Sequence, residues 1–373
     1  MLRLRPPSTR RCVVGTHPDY WYPLARSHEV KRGKTHGVTF AGEPIVLARS
    51  EAGKVFALED RCAHRQVPLH QGVVDGESIC CGYHGWTYDC SGKCIDVPYL
   101  GRDRLPNGVR AYPCREVEGI IFVFPGDPAL ADLRPVPALG SVSDRKYKTR
   151  RFGRPVNCHY SFMHENLMDM NHPQVHHQRL FRRADLQRLV RILGADRHHV
   201  LVIIAACFAA LTEHDGLADR LLARHARKSI IDFDPALATL AAERTRAHLS
   251  HLPAMQELVA YVPLDREQRT NRTFGLLSIR KPGIPGVLNL AWPLLVWFTE
   301  RIFKEDREIV EAEQRAHDSQ GADWNHEMFP VINELRALLR ESGTPDQVVG
   351  AGTGDTAVIR FWDKRNGGPI AKT

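Results

Sequence analysis

Two short loops constrain this chain more than any other feature: Cys62-Ala63-His64 and, after sixteen intervening residues, Cys81-Gly82-Tyr83-His84. Each loop carries one thiol and one imidazole. That suits a 2Fe-2S centre in which two cysteines hold one iron and two histidines hold the other. Neutral imidazoles in place of thiolates lower the negative charge of such a centre and raise its potential, so it serves as a one-electron relay. Structural zinc also takes Cys and His, but usually as a close cysteine pair followed by a histidine pair. Here the two kinds alternate, which fits two metal ions better than one. Gly82 and Gly85 flank the second pair, and Gly72, Gly76 and Gly92 surround the loops, so tight backbone turns are open to them. The other cysteines, Cys12, Cys80, Cys90, Cys94, Cys114, Cys158 and Cys207, read as small core residues rather than ligands.

An electron relay needs a consumer, and the rest of the chain is large enough to hold one. Its 373 residues are 43% hydrophobic and 25% charged, in keeping with a globular protein of two domains or one large one. Met1 to Pro7 is a basic arm with no apolar run, and nine cysteines without a signal peptide point to a reducing, cytoplasmic setting. The longest apolar stretches, Leu201 to Leu211 and Leu288 to Phe298, have 11 residues each. That is too short to span a bilayer, so a buried element or a pocket wall is expected of both. The net charge of +8 favours an acidic electron-transfer partner. No basic stripe with interleaved aromatics points to nucleic acid.

From about Tyr20 to Pro125 the chain reads as short strands between turns. Glu43 to Ala48, Lys54 to Leu58 and Gly119 to Phe124 are β-rich, and Ala52-Gly53 and Ser91-Gly92 mark turns. A Pro-rich stretch from Pro125 to Pro137 marks the exit from this small β domain. A larger α+β domain is expected beyond it.

A second constellation opens that domain. A helical segment over Asn157 to Met170 leads into Asp169-Met170-Asn171-His172-Pro173-Gln174-Val175-His176-His177, one carboxylate and three imidazoles in nine residues. Two histidines and a carboxylate on one face are the usual ligands of O2-activating non-haem iron. His172 pairs with either His176 or His177. Helical spacing favours His176, but Pro173 bars the assumption of continuous helix, so the choice stays open on spacing alone.

A third ligand has to come from elsewhere. In Ile302-Phe303-Lys304-Glu305-Asp306-Arg307-Glu308-Ile309-Val310, Asp306 falls with the apolar stripe, while Lys304, Glu305, Arg307 and Glu308 face water. A buried carboxylate needs a cation, either an arginine or a metal.

Cys62-Ala63-His64-Arg65, Cys81 to Trp86, the Asp169, His172 and His177 spacing and the Glu305-Asp306 helix together resemble the terminal oxygenase of the Rieske non-haem iron oxygenases, the ring-hydroxylating and O-demethylating type. The loop after His64, Arg65 to Leu69, has no cysteine, unlike the respiratory-chain Rieske proteins. The resemblance implies an α+β protein: an all-β Rieske domain over residues 18–125 and a catalytic domain over 126–373 built on an antiparallel, helix-grasp (START-like) sheet. It makes Cys62, His64, Cys81 and His84 the cluster ligands, and His172, His177 and Asp306 the ligands of a mononuclear Fe(II). Asp169 then joins His84 of one subunit to His172 of its neighbour, in a head-to-tail homotrimer.

The implied activity is monohydroxylation or O-demethylation of a small apolar or aromatic substrate, with aromatic cis-dihydroxylation as the runner-up. It consumes O2 and electrons that originate in NAD(P)H. No G-x-G-x-x-G follows a predicted strand, so a separate reductase, with or without a ferredoxin, has to supply them. A non-catalytic electron carrier would use the cluster alone. A zinc-binding module would need neither centre.

One stretch departs from this pattern. Residues 179–251 are rich in Arg, His, Ala and Leu where pocket strands are expected, and strand-like sequence returns at Leu258-Val259-Ala260-Tyr261-Val262. A helical insertion and a pair of compensating frameshifts are the two readings of it.

Overall fold

The computed structural model describes residues 15–100, 108–169, 255–281, 285–320, 325–327 and 330–342. The first part is all β. Strands β1 (Tyr22–Arg26), β2 (Lys34–Phe40), β3 (Glu43–Arg49) and β4 (Val55–Glu59) are followed by four short strands, β5 (Val73–Asp75), β6 (Ser78–Cys80), β7 (Thr87–Asp89) and β8 (Cys94–Asp96). Next come β9 (Ala111–Tyr112), β10 (Cys114–Val117) and β11 (Ile120–Val123). They form three antiparallel sheets in the orders β1-β11-β10, β2-β3-β4-β9 and β5-β6-β7-β8. The β2–β3 hairpin turns on Ala41 and Gly42, both at positive φ, the two-residue turn whose twist matches the flanking strands.

The second part is α+β. Strands β12 (Tyr147–Phe152), β13 (Pro155–Val156), β14 (Met255–Pro263) and β15 (Asn271–Arg280) make one antiparallel sheet with β15 at its centre. β14 lies along one edge of β15; β12 and then β13 follow the other edge in one register. Gly153, between β12 and β13, lies so close to β15 that a Cβ there would stand 1.9 Å from the Thr273 carbonyl oxygen. The described residues hold three α-helices: α1 (Tyr160–Met168), α2 (Val287–Gln320) and α3 (Pro330–Ser342).

Strand alternation gives this sheet two unlike faces. Val259, Tyr261 and Phe152 point to one side and pack on Tyr160 and Met163 of α1 and on Phe303 and Val310 of α2. Leu277 and Ile279 join that side against Leu288, Trp292 and Leu295. Leu258 and Leu276 point to the other side and pack on Trp21, Ile120, Phe122 and Phe124 of the β domain. Val262 and Phe274 do the same against Leu24, Ile121 and Val123. The tip of the β2–β3 hairpin is tied down as well: Ala41 N–H donates to the Pro263 carbonyl and Gly42 N–H to that of Leu264, both at 2.8 Å. The β domain therefore covers one face of this sheet, and α1 and α2 cover the other.

Leu288 to Phe298 turn out to be the first third of α2 rather than a buried element. Leu288 is buried, but Leu290 is 86% and Trp297 59% exposed. No described helix is long and apolar enough to cross a membrane. Leu201 to Leu211, the arm over Met1 to Pro7, and residues 179–251 lie outside the described residues.

Candidate metal centres

The two cluster loops have the same backbone. In the first, Cys62 N–H donates to the Val67 carbonyl at 2.8 Å and Gln66 N–H to the Cys62 carbonyl at 2.9 Å. In the second, Cys81 N–H donates to the Trp86 carbonyl at 2.8 Å and Gly85 N–H to the Cys81 carbonyl at 3.1 Å. The fifth residue of each loop, Gln66 and Gly85, is left-handed, at φ 60° and 75°. This repeat was not visible in the sequence, because one loop fills the position with glycine and the other with glutamine.

The four side chains divide by kind. Cys62 and Cys81 are buried at the base of the loops, whereas His64 and His84 are exposed, with ring centroids 4.6 Å apart. Two sulfurs inside and two imidazoles outside are the donor set of a His2Cys2 2Fe-2S centre, with the histidine-bound iron toward solvent. Among the described residues, no three His, Cys, Asp or Glu side chains surround a single-ion site. Burial pushes the Cys81 thiol above its ordinary range, so the metal would have to displace its proton. Desolvation, then the neighbouring His84 and Arg65, hold His64 below its ordinary value and favour the neutral ring that metals take.

Two residues support these ligands. The Trp86 ring stacks on His64 with centroids 4.8 Å apart and planes 6° from parallel, which fixes the imidazole plane. The Tyr88 hydroxyl reaches the Cys62 sulfur from β7. Its signal in the sequence was a lone aromatic between polar Thr87 and Asp89 on a three-residue strand, the alternation that turns one side chain inward.

The second centre is described in part. α1 starts at an N-cap, His159, whose ring nitrogen accepts from the Ser161 N–H, and it ends at Asp169. The Asp169 N–H donates to the Glu165 carbonyl at 2.9 Å, so the carboxylate leaves from the last turn of the helix. Asp306 lies on α2 one turn before Val310, which packs on Tyr160, Met163, Val259 and Tyr261. Its Oδ1 is closed to solvent. The expected stripe holds for Asp306, Phe303 and Val310. It fails for Ile309, which is 44% exposed, and for Glu305, which is partly covered and pairs with Arg301 at 3.2 Å. The covered face of α2 is thus turned away from Ile309 and takes in part of Glu305 and Arg307, which the spacing places in water.

Negative charge gathers around Asp306. Glu257 on β14 is exposed; desolvation by the packed surroundings and then the charge of Asp306 raise its carboxyl above the ordinary range, against the pull of Arg150. Arg150 on β12 pairs with Glu300 of α2, and Arg154 reaches the same carboxylate at 2.9 Å. His164, deep in α1, packs edge-on against Tyr261 and Tyr160. Burial takes its ring down to about 3, so it is neutral. His172, His176 and His177 lie outside the described residues. Of the other cysteines, Cys94 and Cys158 are buried, while Cys80, Cys90 and Cys114 are half-buried. Cys90 packs at the rim of the β-domain core, with its sulfur toward Glu77 and Lys54.

Two family descriptions match the chain: a Rieske [2Fe-2S] domain over residues 20–113, and a vanillate O-demethylase oxygenase C-terminal domain over residues 156–331. Among characterised relatives, a 4beta-methylsterol monooxygenase of Methylococcus capsulatus is 38% identical over 196 residues, 51% of this chain and 52% of that one. The oxygenase component of dicamba O-demethylase from Stenotrophomonas maltophilia is 36% identical over 159 residues, 42% and 47% of the two chains. These matches span about half the length of each relative. The crystal structure of dicamba monooxygenase bound to dicamba superposes on 88% of this chain and 97% of its own, with a TM-score of 0.59 at 22% identity. That likeness is one of fold.

Proposed function

The chain belongs to the Rieske oxygenases, and from that premise we propose that it is the terminal oxygenase component of a multi-component system that oxidises a methyl carbon of a small apolar or aromatic substrate. Hydroxylation of a carbon-bound methyl gives an alcohol; hydroxylation of a methoxy carbon gives a hemiacetal that collapses to the O-demethylated product. In either case one oxygen atom of O2 enters the substrate, and two electrons and two protons take the other to water.

The observation that carries this reading is the division of the candidate cluster ligands, thiols inside and imidazoles outside, in a chain that also carries Asp306 one turn before Val310, on the helix that packs on α1. The names of two relatives support the choice of a methyl carbon: one is a methylsterol monooxygenase and the other an O-demethylase. Cys62, His64, Cys81 and His84 hold the cluster, and His172, His177 and Asp306 hold Fe(II). When bound, the two groups supply electron storage and O2 reduction, respectively. The residues supply geometry. Trp86 keeps the His64 ring in place, and Asp306 keeps one carboxylate oxygen closed to water.

Electron delivery follows from the two faces of the sheet. The β domain covers one face, and α1 and α2, which carry Asp169 and Asp306, cover the other. Within one chain the sheet stands between them. His84 is exposed, so it is open to the Asp169 of a neighbouring subunit in a head-to-tail trimer. In that arrangement Asp169 accepts hydrogen bonds from both imidazoles and orients them. Electrons reach the cluster from NAD(P)H through a separate reductase.

A single-turnover reaction tests the reading. Purified protein with both metal sites filled is reduced, separated from reductant and exposed to 18O2 with a panel of methylsterols and methoxybenzoates. Hydroxymethyl or demethylated product, with label from O2 in the hydroxyl or in the released formaldehyde, is expected. A cis-diol product would favour dihydroxylation. A cluster that reoxidises with no product from either class would favour an electron carrier.

A further inference from the structure

One buried ion pair has no part in the chemistry described so far. Arg336 of α3 donates from Nε to Glu165 Oε1 at 3.0 Å and from Nη2 to Glu165 Oε2 at 2.9 Å. The two side chains are 3% and 6% exposed and 171 residues apart in sequence. Glu327 lies further off, at 3.9 Å from Nη2. The fork-to-fork geometry fixes both position and plane, as a lysine could not.

The pair sits where α1 ends. Met168, one helical turn beyond Glu165 on the same face, is buried against Ile332 and Leu335 of α3, with Leu338 and Leu339 packed around them. Ile332, Leu335, Arg336 and Leu339 follow helical spacing on α3, so one face of that helix meets the last turn of α1 with an apolar cap and a charged fork. Glu165 also accepts the Asp169 N–H through its main-chain carbonyl. One residue therefore ties Asp169 to α1 by backbone and α1 to α3 by side chain.

We propose that Glu165 and Arg336 are positioning residues: a clamp that locks the last turn of α1 onto α3 and so fixes the direction in which the Asp169 carboxylate leaves the helix. Stability alone is a poor reason to bury such a pair, since well-packed apolar residues often replace one at no loss. Orientation is the better reason, because an apolar contact can slide and a bidentate fork cannot. The inference rests on the reading that Asp169 orients an iron-ligating histidine.

The test uses the full-length protein with its cluster in place, its mononuclear site emptied by a chelator and then titrated with Co(II) as a spectroscopic probe. Arg336→Met, Arg336→Lys, Glu165→Gln and the double variant Glu165→Gln/Arg336→Met are compared with Asp169→Asn. Loss of a group that orients a metal ligand weakens binding about 10–100-fold. Each single clamp variant is expected to weaken Co(II) by about tenfold or more, and the double variant no further than the worse single one. Hydrogen exchange over residues 160–169 rises in these variants, while exchange over 55–90, in the β domain, stays as in the wild type. Arg336→Lys separates geometry from charge, and with Glu165→Gln it decides the matter if Arg336→Met does not fold.

Wild-type Co(II) affinity in Arg336→Lys and Glu165→Gln, with Asp169→Asn weakened, overturns the clamp and leaves the reading of Asp169 standing. Wild-type affinity in Asp169→Asn overturns that reading instead, and the clamp is then judged by exchange alone: unchanged protection over 160–169 rejects it, and raised exchange there upholds it.

Discussion

The Tyr88 hydroxyl lies 3.2 Å from the Cys62 sulfur and 3.0 Å from the main-chain nitrogen of Ala63. The Ala63 N–H donates to the hydroxyl oxygen, which leaves the hydroxyl hydrogen for the sulfur. A donor aimed at a ligand sulfur stabilises the reduced cluster more than the oxidised one, because the extra electron adds negative charge there.

Tyr88→Phe is therefore expected to lower the cluster potential. A hydrogen bond to a charged group contributes about 1.5–3 kcal/mol, and about 59 mV corresponds to a tenfold change for a one-electron couple. Allowing for partial compensation, the drop should be about 50–100 mV. Redox titration of the cluster's visible bands measures it, and a potential equal to or above the wild type would show that the hydroxyl hydrogen is aimed elsewhere.

The two left-handed loop positions respond to substitution with opposite sign. At Gly85 an added Cβ would meet Pro98 Cγ at 2.9 Å and face φ 75°, so Gly85→Ala should lose about 1–3 kcal/mol and shed cluster on mild heating. At Gln66, already at φ 60°, Gln66→Gly relieves strain and should be neutral or gain up to about 1 kcal/mol. Thermal unfolding followed by visible and far-ultraviolet signals compares them. Equal effects in the two loops would mean that they are not backbone equivalents.

His164 gives acid sensitivity a definite window. Burial holds it near 3, against an ordinary value of 6.5, so the unfolded chain binds a proton between those values and the native state does not. Its contribution to stability is full above about 6.5 and is lost as pH falls toward 3, at up to about 1.4 kcal/mol per pH unit. Denaturant unfolding of the wild type and of His164→Gln from pH 4 to 7 isolates this share. The variant should show the shallower dependence, and parallel curves would place the sensitivity elsewhere.

Local chemistry was legible in the sequence, and long-range geometry was not. The proposed cluster ligands stand out because each loop's Cys and His are close in sequence, and Asp306 is a candidate because a carboxylate in an apolar helical stripe is conspicuous. The β-rich runs from Glu43 to Phe124 appear as strands because alternation and turn residues agree there. Ile309, Leu290 and Trp297 were misjudged because helical spacing shows which residues share a face but not how wide a face the rest of the fold covers. Tyr88 and the Glu165–Arg336 pair depend on contacts 26 and 171 residues distant in sequence, which periodicity cannot reveal. Nor could composition tell that the β domain and α1 would take opposite faces of one sheet.

The central claim is that one chain holds two separate iron centres, the second of them through Asp306. Iron analysis with electron paramagnetic resonance on the wild type, Asp306→Ala and Cys81→Ser tests it most directly. The wild type should carry about three iron atoms per chain and the Rieske signal when reduced. Asp306→Ala should keep the signal with about two iron atoms, and Cys81→Ser should lose the signal. Asp306→Ala protein with wild-type iron content, or wild-type protein that holds zinc and gives no Rieske signal, would contradict it.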